Sequence, residues 1–100
     1  MKLGLLRIYF DEDDVLPSKW PKASQGLRKR LFKRHKVLVQ GGDPSEHHLL
    51  IVLSGFDWAD IQLRMDDIVE ECTVYGIGRI SEEVRAIHDV DDLLWGADEL

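Results

Sequence analysis

Basic side chains are concentrated in one stretch of the sequence. Between Lys19 and Lys36 there are eight lysines and arginines and no acid. Several cations held on one rigid element can displace the counterions of a nucleic-acid backbone. Phe32 lies among them, and its ring could stack on a base. The stretch is therefore a candidate nucleic-acid-binding surface, with Arg28, Lys29, Arg30, Lys33, Arg34 and Lys36 as its residues.

The same bases allow a different interpretation. A helix with a charged outer face is often solvated, and it can contact acids of its own chain or of a partner protein. Seven of the 19 acids lie between Ser81 and Leu100, where Arg85 is the single base. The net charge of −6 thus averages a basic element with an acidic C-terminal segment. Either RNA or an acidic protein surface is an expected partner.

Four consecutive acids, Asp11-Glu12-Asp13-Asp14, follow an apolar segment. Carboxylates at the end of a strand can hold Mg²⁺, which can activate a water molecule. Phe10-Asp11 with Asp13-Asp14 loosely resembles the strand-end aspartate of the CRISPR-associated Cas2 nucleases. That resemblance implies a metal-dependent phosphodiesterase using Asp11. The alternative is a solvated turn, because acids also end ordinary strands.

Two adjacent histidines, His47 and His48, stand beside acids in the sequence. Adjacent side chains of a strand point to opposite faces, so the two imidazoles would not share one metal ion. Cys72 falls on an apolar stripe and is interpreted as a small core residue. There is no nucleophile elbow and no complete dinucleotide-binding glycine loop. The sequence therefore predicts no catalytic residue, no metal and no cofactor.

The elements that position these residues follow from apolar periodicity. Lys2–Phe10 is apolar on both faces and Leu49–Leu53 is an uninterrupted apolar run, which predicts two central strands. Ser18–His35 is predicted to be a helix capped by Ser18, with a start at Ser24 as the alternative. Val37–Gln40 is predicted to be a short strand that forms a hairpin with residues 47–53.

The second half of the chain is predicted in the same way. Asp57 caps a helix over Asp57–Tyr75, and Gly76 is placed to end it. The segment 77–89 is predicted to contain a strand, although Ser81 could instead cap a third helix. Residues 89–100 form an acidic tail. Trp20 and Trp58 are interpreted as core anchors, whereas the environment of Trp95 is left open.

The resulting order, β-α-β-β-α-β, predicts an α+β, ferredoxin-like domain with both helices on one face of an antiparallel sheet. One hundred residues correspond to a single domain, here a core of residues 1–88 and the tail. Two helices cannot cover both faces, so we expect a homodimer; the alternative is that the tail folds over the open face. No apolar run is long enough to span a membrane, and the lone cysteine fits a reducing cytoplasm.

Several short segments resemble the YlxP-like family of small bacterial domains. They are Gly4-Leu5-Leu6-Arg7, Ser18-Lys19 with Lys22, Leu27-Arg28-Lys29-Arg30-Leu31 and Lys36-Val37-Leu38-Val39. The resemblance implies a ferredoxin-like fold and no established activity. We therefore expect a cytoplasmic binding or interaction domain without catalysis. The two alternatives are an RNA-associated domain that uses the basic helix and a metal-dependent phosphodiesterase that uses Asp11.

Overall fold

The computed structural model describes residues 1–41, 47–75 and 77–90, which form a four-stranded sheet covered by two helices. Every neighbouring pair of strands is antiparallel, in the order β2-β3-β1-β4. The predicted ferredoxin-like α+β fold is thus confirmed. The elements are β1 (Lys2–Phe10), α1 (Trp20–His35), β2 (Leu38–Gly41), β3 (His48–Gly55), α2 (Trp58–Tyr75) and β4 (Ile80–Asp89).

The helix side of β1 and β3 forms the centre of the core. Leu6 on β1 pairs with Ile51 on β3, and both side chains are fully buried beneath the helices. α2 approaches the sheet closely at Gly4, where a Cβ atom would lie 2.8 Å from both Ile61 Cγ2 and Met65 Cε. The two strands predicted to be central therefore lie at the centre of the sheet.

The opposite face of the sheet, called here the open face, carries no helix within the described residues. Arg7 is an exposed cation in the middle of this face, beside Leu50 on β3 and Val84 on β4. Its other neighbours are largely apolar and only partly shielded. The apolar side chains of the open face are Leu3, Leu5, Leu38, Leu50, Val52, Val84 and Ala86.

The start of α1 differs from its prediction. The helix begins at Trp20 rather than Ser18, and its N-cap residue Lys19 makes no side-chain capping hydrogen bond. Pro21 falls in the first turn as predicted. The alternative start at Ser24 is wrong, because Ser24 is a buried residue inside the helix and its hydroxyl donates to the Pro21 carbonyl. Capping was therefore a poor guide to this boundary.

The start of α2 follows its prediction, apart from one side chain. The Asp57 carboxylate accepts a hydrogen bond from the Asp60 N–H at 2.8 Å, as an N-cap should. Cys72 is fully buried, which confirms its assignment to the core. Trp58 is 54% exposed, so its prediction as a core anchor is wrong. It lies in the first turn of α2, where the Lys2 ammonium is 6.0 Å from its ring.

The segment after α2 is a strand. β4 runs without a break from Ile80 to Asp89, and the alternative of a helix capped by Ser81 is wrong. The Ser81 hydroxyl instead donates to the Tyr9 carbonyl on β1. The strand extends one residue beyond residue 88, where the core was predicted to end. The Asp89 carboxylate at its end lies 3.3 Å from Lys2 Nζ. Gly76 and residues 91–100, which are most of the predicted tail 89–100, lie outside the described residues.

Two smaller findings complete the fold. β2 is shifted by one residue from its predicted range, since it begins at Leu38 and Val37 is buried just before it. Neither of the described helices has the length and apolar character needed to cross a membrane. In this fold, the basic helix α1 lies between two neighbours, the edge strand β2 and the helix α2.

Candidate functional site

The buried stripe of α1 decides where its bases can point. Trp20, Ser24, Leu27 and Leu31 are buried against the sheet, at the three- and four-residue spacing of one helix face. Trp20 also stacks on His47, with 4.7 Å between ring centroids and 8° between planes. The bases must therefore occupy the outer face and the two flanks of the helix. One flank faces α2 and the other faces β2.

On the flank toward α2, the bases of α1 contact Glu71, a buried acid of that helix. One carboxylate oxygen, Oε1, lies 2.9 Å from Arg30 Nε and 3.1 Å from Arg34 Nε. The other oxygen, Oε2, lies 2.6 Å from His35 Nε2. The Arg30 guanidinium also lies over the Tyr75 ring, 3.6 Å from its centroid. Two of the six predicted nucleic-acid-binding residues are thus engaged by an acid of their own chain.

The ionisation of Glu71 reflects two opposed effects. Burial alone would raise its pKa. Hydrogen bonds from His35 and Arg30 and the charges of His35 and Arg34 outweigh burial, so the pKa of Glu71 lies below its ordinary value. The carboxylate is therefore a stable anion at neutral pH. It lines a cleft of about 380 Å³ together with Arg34, His35, Asp67, Glu70, Val74 and Tyr75.

The flank toward β2 has no comparable acid within the described residues. Arg28 reaches over β2, and its guanidinium packs against Gly41, where a Cβ atom would lie 3.6 Å from Arg28 Cζ. Arg28 Nε is buried and has no hydrogen-bond partner among the described residues. Lys29 and Phe32 lie beside it and are exposed, the Phe32 ring by 58%. Gln25, Arg28, Lys29, Phe32, Leu38 and Val39 line a cleft of about 340 Å³.

The last two predicted site residues lie on the outer face and at the end of α1. Lys33 is exposed, one turn after Lys29. Lys36 is the C-cap residue, with a left-handed backbone (φ 56°), and its N–H donates to the Phe32 carbonyl. Arg64 of α2 donates to the carbonyls of His35 and Ser54, which fastens the C-terminal end of α1 to the end of β3.

The acidic turn after β1 is closed by a cation that sequence reasoning missed. Arg79 lies 3.3 Å from the Asp11 carboxylate and 3.2 Å from that of Asp14. Its backbone N–H also donates to Asp14, and the Asp11 N–H donates to the Arg79 carbonyl. The backbone and side-chain hydrogen bonds of Arg79 lower the pKa of Asp14. A divalent cation at Asp11 would have to displace this guanidinium.

The two adjacent histidines lie in different environments. His47 is buried against Trp20, whereas His48 lies on the open face, 5.1 Å from the Tyr9 ring. In residues 1–41, 47–75 and 77–90, no group of three or more His, Cys, Asp or Glu side chains could hold a metal ion. Burial raises the pKa of Cys72 to about 12, with a smaller effect of Glu71. That thiol is therefore unsuited to act as a nucleophile.

Sequence reasoning missed the acid that matters most to α1. Glu71 follows three residues after Ile68 and directly precedes Cys72, both of which belong to the buried stripe of α2. An acid at the margin of such a stripe could have been predicted to be buried. A buried carboxylate requires cationic partners, so bases of α1 could have been predicted to pair with it. Arg79 gave no comparable signal, since its partners lie 65 and 68 residues away in sequence.

The chain was compared with known proteins. No family model matches the sequence, and no curated protein matches it, so the YlxP-like resemblance stays a prediction. A putative antibiotic biosynthesis monooxygenase from Deinococcus radiodurans has a similar structure, with a TM-score of 0.51 and 6% identity over 89% of this chain and 91% of that one. At this identity the likeness shows the fold alone.

Two further solved structures resemble the chain less. A structural-genomics protein from Agrobacterium tumefaciens has a TM-score of 0.49 at 7% identity, covering 89% of this chain and 92% of that one. A putative antibiotic biosynthesis monooxygenase from Nitrosomonas europaea has a TM-score of 0.44 at 13% identity, covering 89% of this chain and 97% of that one.

Proposed function

We propose that this chain is a cytoplasmic binding domain that works as a homodimer, with the open face as the contact between two copies. The observation that carries the proposal is the exposure of apolar side chains on that face. Leu38 at one edge of the sheet is 68% exposed, and Val84 at the other edge is 47% exposed. Exposed apolar side chains that share one face of a sheet often mark an interface. A second copy offers the same surface, as a twofold contact requires.

Charge on the open face is compatible with this contact. Arg7 is an exposed cation in the middle of the face, and burying it without a partner would be costly. Glu82 on β4 is the acid of the open face among the described residues, and it is also exposed. In a twofold arrangement, Arg7 of each copy can meet Glu82 of the other. The two charges would then set the register of the dimer.

Light scattering at high protein concentration tests the dimer directly. The chain has a mass of 11.5 kDa, and we expect the measured mass to be twice that value. Val84→Lys should shift the equilibrium to the monomer, because it places a charge inside the contact. Leu63→Lys is the matched control, since Leu63 is 65% exposed on α2, away from the open face. A monomeric wild-type protein would refute the proposal.

A charge exchange tests the proposed register. Arg7→Glu and Glu82→Arg should each weaken the dimer, because each places like charges together across the contact. Combining the two substitutions should restore it. If the double variant dimerises no better than the single variants, the two charges do not face each other and this register is wrong.

A second candidate function is RNA binding by α1. It is favoured by the exposed bases Lys29 and Lys33, which lie one turn apart beside the exposed Phe32 ring. Arg30 and Arg34 are unsuitable test sites, since glutamate at either position would face Glu71. Affinity for single-stranded RNA should instead fall in Lys29→Gln/Lys33→Gln. It should fall less in Lys19→Gln/Lys22→Gln, which removes the same charge from the start of the helix.

A further inference from the structure

The cleft between α1 and β2 combines features that are usually found at a ligand site. Its cations are Arg28 and Lys29, its exposed ring is Phe32, and its apolar wall is formed by Leu38 and Val39. No acid lines it among the described residues. The cleft of about 380 Å³ between α1 and α2 differs sharply, since three acids line that one.

The state of Arg28 points to a missing partner. Its Nε is buried and unpaired within residues 1–41, 47–75 and 77–90, although a buried polar group normally has a hydrogen-bond partner. No hydrogen bond or ion pair joins Arg28 to another described residue. Arg30, two residues further along, is instead bound to Glu71 and stacked on Tyr75. The guanidinium of Arg28 is therefore held on the sheet edge by packing, and its terminal Nη donors remain for an anion.

The spacing of the groups indicates the shape of that anion. Arg28 and Phe32 are four residues apart on α1, so their Cβ atoms are about 5–6 Å apart on the same flank. One nucleotide carries both a phosphate and a base, so it can engage both side chains. Lys29 lies beside Arg28 and adds a second cation for the phosphate. The exposed Phe32 face can contact the base.

We propose that the α1–β2 cleft is a binding site for a single nucleotide, with its phosphate on Arg28 and Lys29 and its base on Phe32. The nucleotide can be a free nucleoside monophosphate or one residue of a single strand. In the second case, the site deepens the RNA-binding function proposed above and rests on it. Stacking on an aromatic ring is tolerant of the base, so we expect little base preference.

The test uses adenosine 5′-monophosphate as the probe, followed by calorimetry and by amide chemical shifts in NMR spectra. Binding should shift the resonances of Arg28, Phe32 and Val39. Inorganic phosphate alone and adenosine alone should each bind at least about tenfold more weakly, because each engages one half of the site. Equal affinity for phosphate and for the nucleotide would overturn the role of Phe32.

Variants locate the site on the correct flank. Arg28→Gln should weaken nucleotide binding about tenfold or more, and Phe32→Ala at least about fivefold. Arg34→Gln and Val74→Ala are matched controls on the cleft toward α2, and they should leave the affinity unchanged. Circular dichroism checks that the variants fold. An affinity for adenosine 5′-monophosphate that survives Arg28→Gln/Phe32→Ala would overturn the site.

The same variants separate this inference from RNA binding. An oligonucleotide that binds only through Lys29 and Lys33, with no effect of Arg28→Gln or Phe32→Ala, would refute the nucleotide site and leave RNA binding intact. A protein that binds adenosine 5′-monophosphate but no oligonucleotide would refute RNA binding and support a site for the free nucleotide. Binding of neither probe at low salt would refute both.

Discussion

The two flanks of α1 have similar compositions and opposite electrostatic states. Toward α2, Arg30 and Arg34 share one oxygen of Glu71. Toward β2, Arg28 packs against Gly41, and no residue in the described part of the chain pairs with its buried Nε. The difference does not come from the helix, which supplies arginines to both sides. It comes from the neighbouring element, which presents a buried carboxylate on one side and a strand edge ending in glycine on the other.

A run of bases in the sequence is therefore not equivalent to a basic surface of the protein. An arginine that is paired with a carboxylate of its own chain is less able to neutralise a phosphate. It therefore releases few counterions from the nucleic acid and contributes little to the salt-dependent part of binding. An arginine without a partner keeps its full capacity to bind an anion. Glu71 therefore divides the six predicted residues into an engaged pair, Arg30 and Arg34, and an available set, Arg28, Lys29, Lys33 and Lys36.

The largest expected effect comes from removing the charge that defines the engaged flank. Glu71→Gln should lower the free energy of unfolding by about 1–3 kcal/mol, because charge-assisted hydrogen bonds to Arg30 and His35 are weakened. Urea denaturation measures the loss. Glu70→Gln is the control, since Glu70 is exposed on the same turn and should change stability by about 0.5 kcal/mol or less. Equal losses in both variants would mean that Glu71 does not organise this flank.

A stabilising change is expected between the flanks. Gly26 lies inside α1, and a Cβ atom there would have no atom within 4 Å. Gly26→Ala should therefore raise the free energy of unfolding by about 1 kcal/mol, because alanine loses less backbone entropy in a helix. Thermal denaturation measures the gain. A loss of stability would show that the surface of α1 at Gly26 is covered by something the described residues do not include.

The pH dependence of stability provides a smaller and more specific effect. The pKa of Glu71 is lower in the folded chain than its ordinary value of about 4.5. The unfolded chain therefore binds more protons in this range, so stability rises with pH there. The contribution of Glu71 is present above about pH 4.5 and is lost as the pH falls through the folded pKa. Urea denaturation at several pH values measures this effect. As the pH falls, the free energy of unfolding should decrease less in Glu71→Gln than in the wild type.

The fold could be predicted to a large extent because it depends on local patterns. Apolar residues on both faces of Lys2–Phe10 and the Leu49–Leu53 run require central strands, and the structure confirms them. The errors lie at boundaries where local signals compete. Ser18 has a good capping side chain, yet the helix begins at Trp20. Here the burial of Trp20 against Phe10 and His47 outweighs the capping preference.

The candidate site could be predicted only in part. The six bases and the exposed Phe32 follow from helical spacing, which the sequence contains. Whether a base is paired depends on which helix lies alongside, and Arg30 is 41 residues from Glu71 in the chain. Arg79 likewise closes the Asp11 turn only because β4 pairs with β1. Such contacts depend on tertiary packing, which cannot be predicted from the apolar periodicity of a single element.

Single-charge variants on the outer face and on the engaged flank should differ least in stability. Lys33→Gln and Arg34→Gln each remove one cation from an exposed position, and each should cost about 1 kcal/mol or less. Their effects on RNA binding should nevertheless differ. Lys33 is available to a phosphate, whereas Arg34 is held 3.1 Å from the Glu71 carboxylate. The two variants therefore compare an available base with an engaged one at nearly equal cost to the fold.

The measurement is the slope of log affinity for single-stranded RNA against log salt. Lys33→Gln should reduce the slope by about 0.7, the value for one phosphate neutralised on a single strand, and Arg34→Gln should leave it nearly unchanged. Glu71→Gln frees both arginines of the engaged flank, so it should steepen the slope by up to about 1.4. Arg34→Gln added to Glu71→Gln should then reduce the slope again. Equal slopes for Lys33→Gln and Arg34→Gln in the wild-type background would contradict the division of the helix, because both bases would then contact phosphate alike.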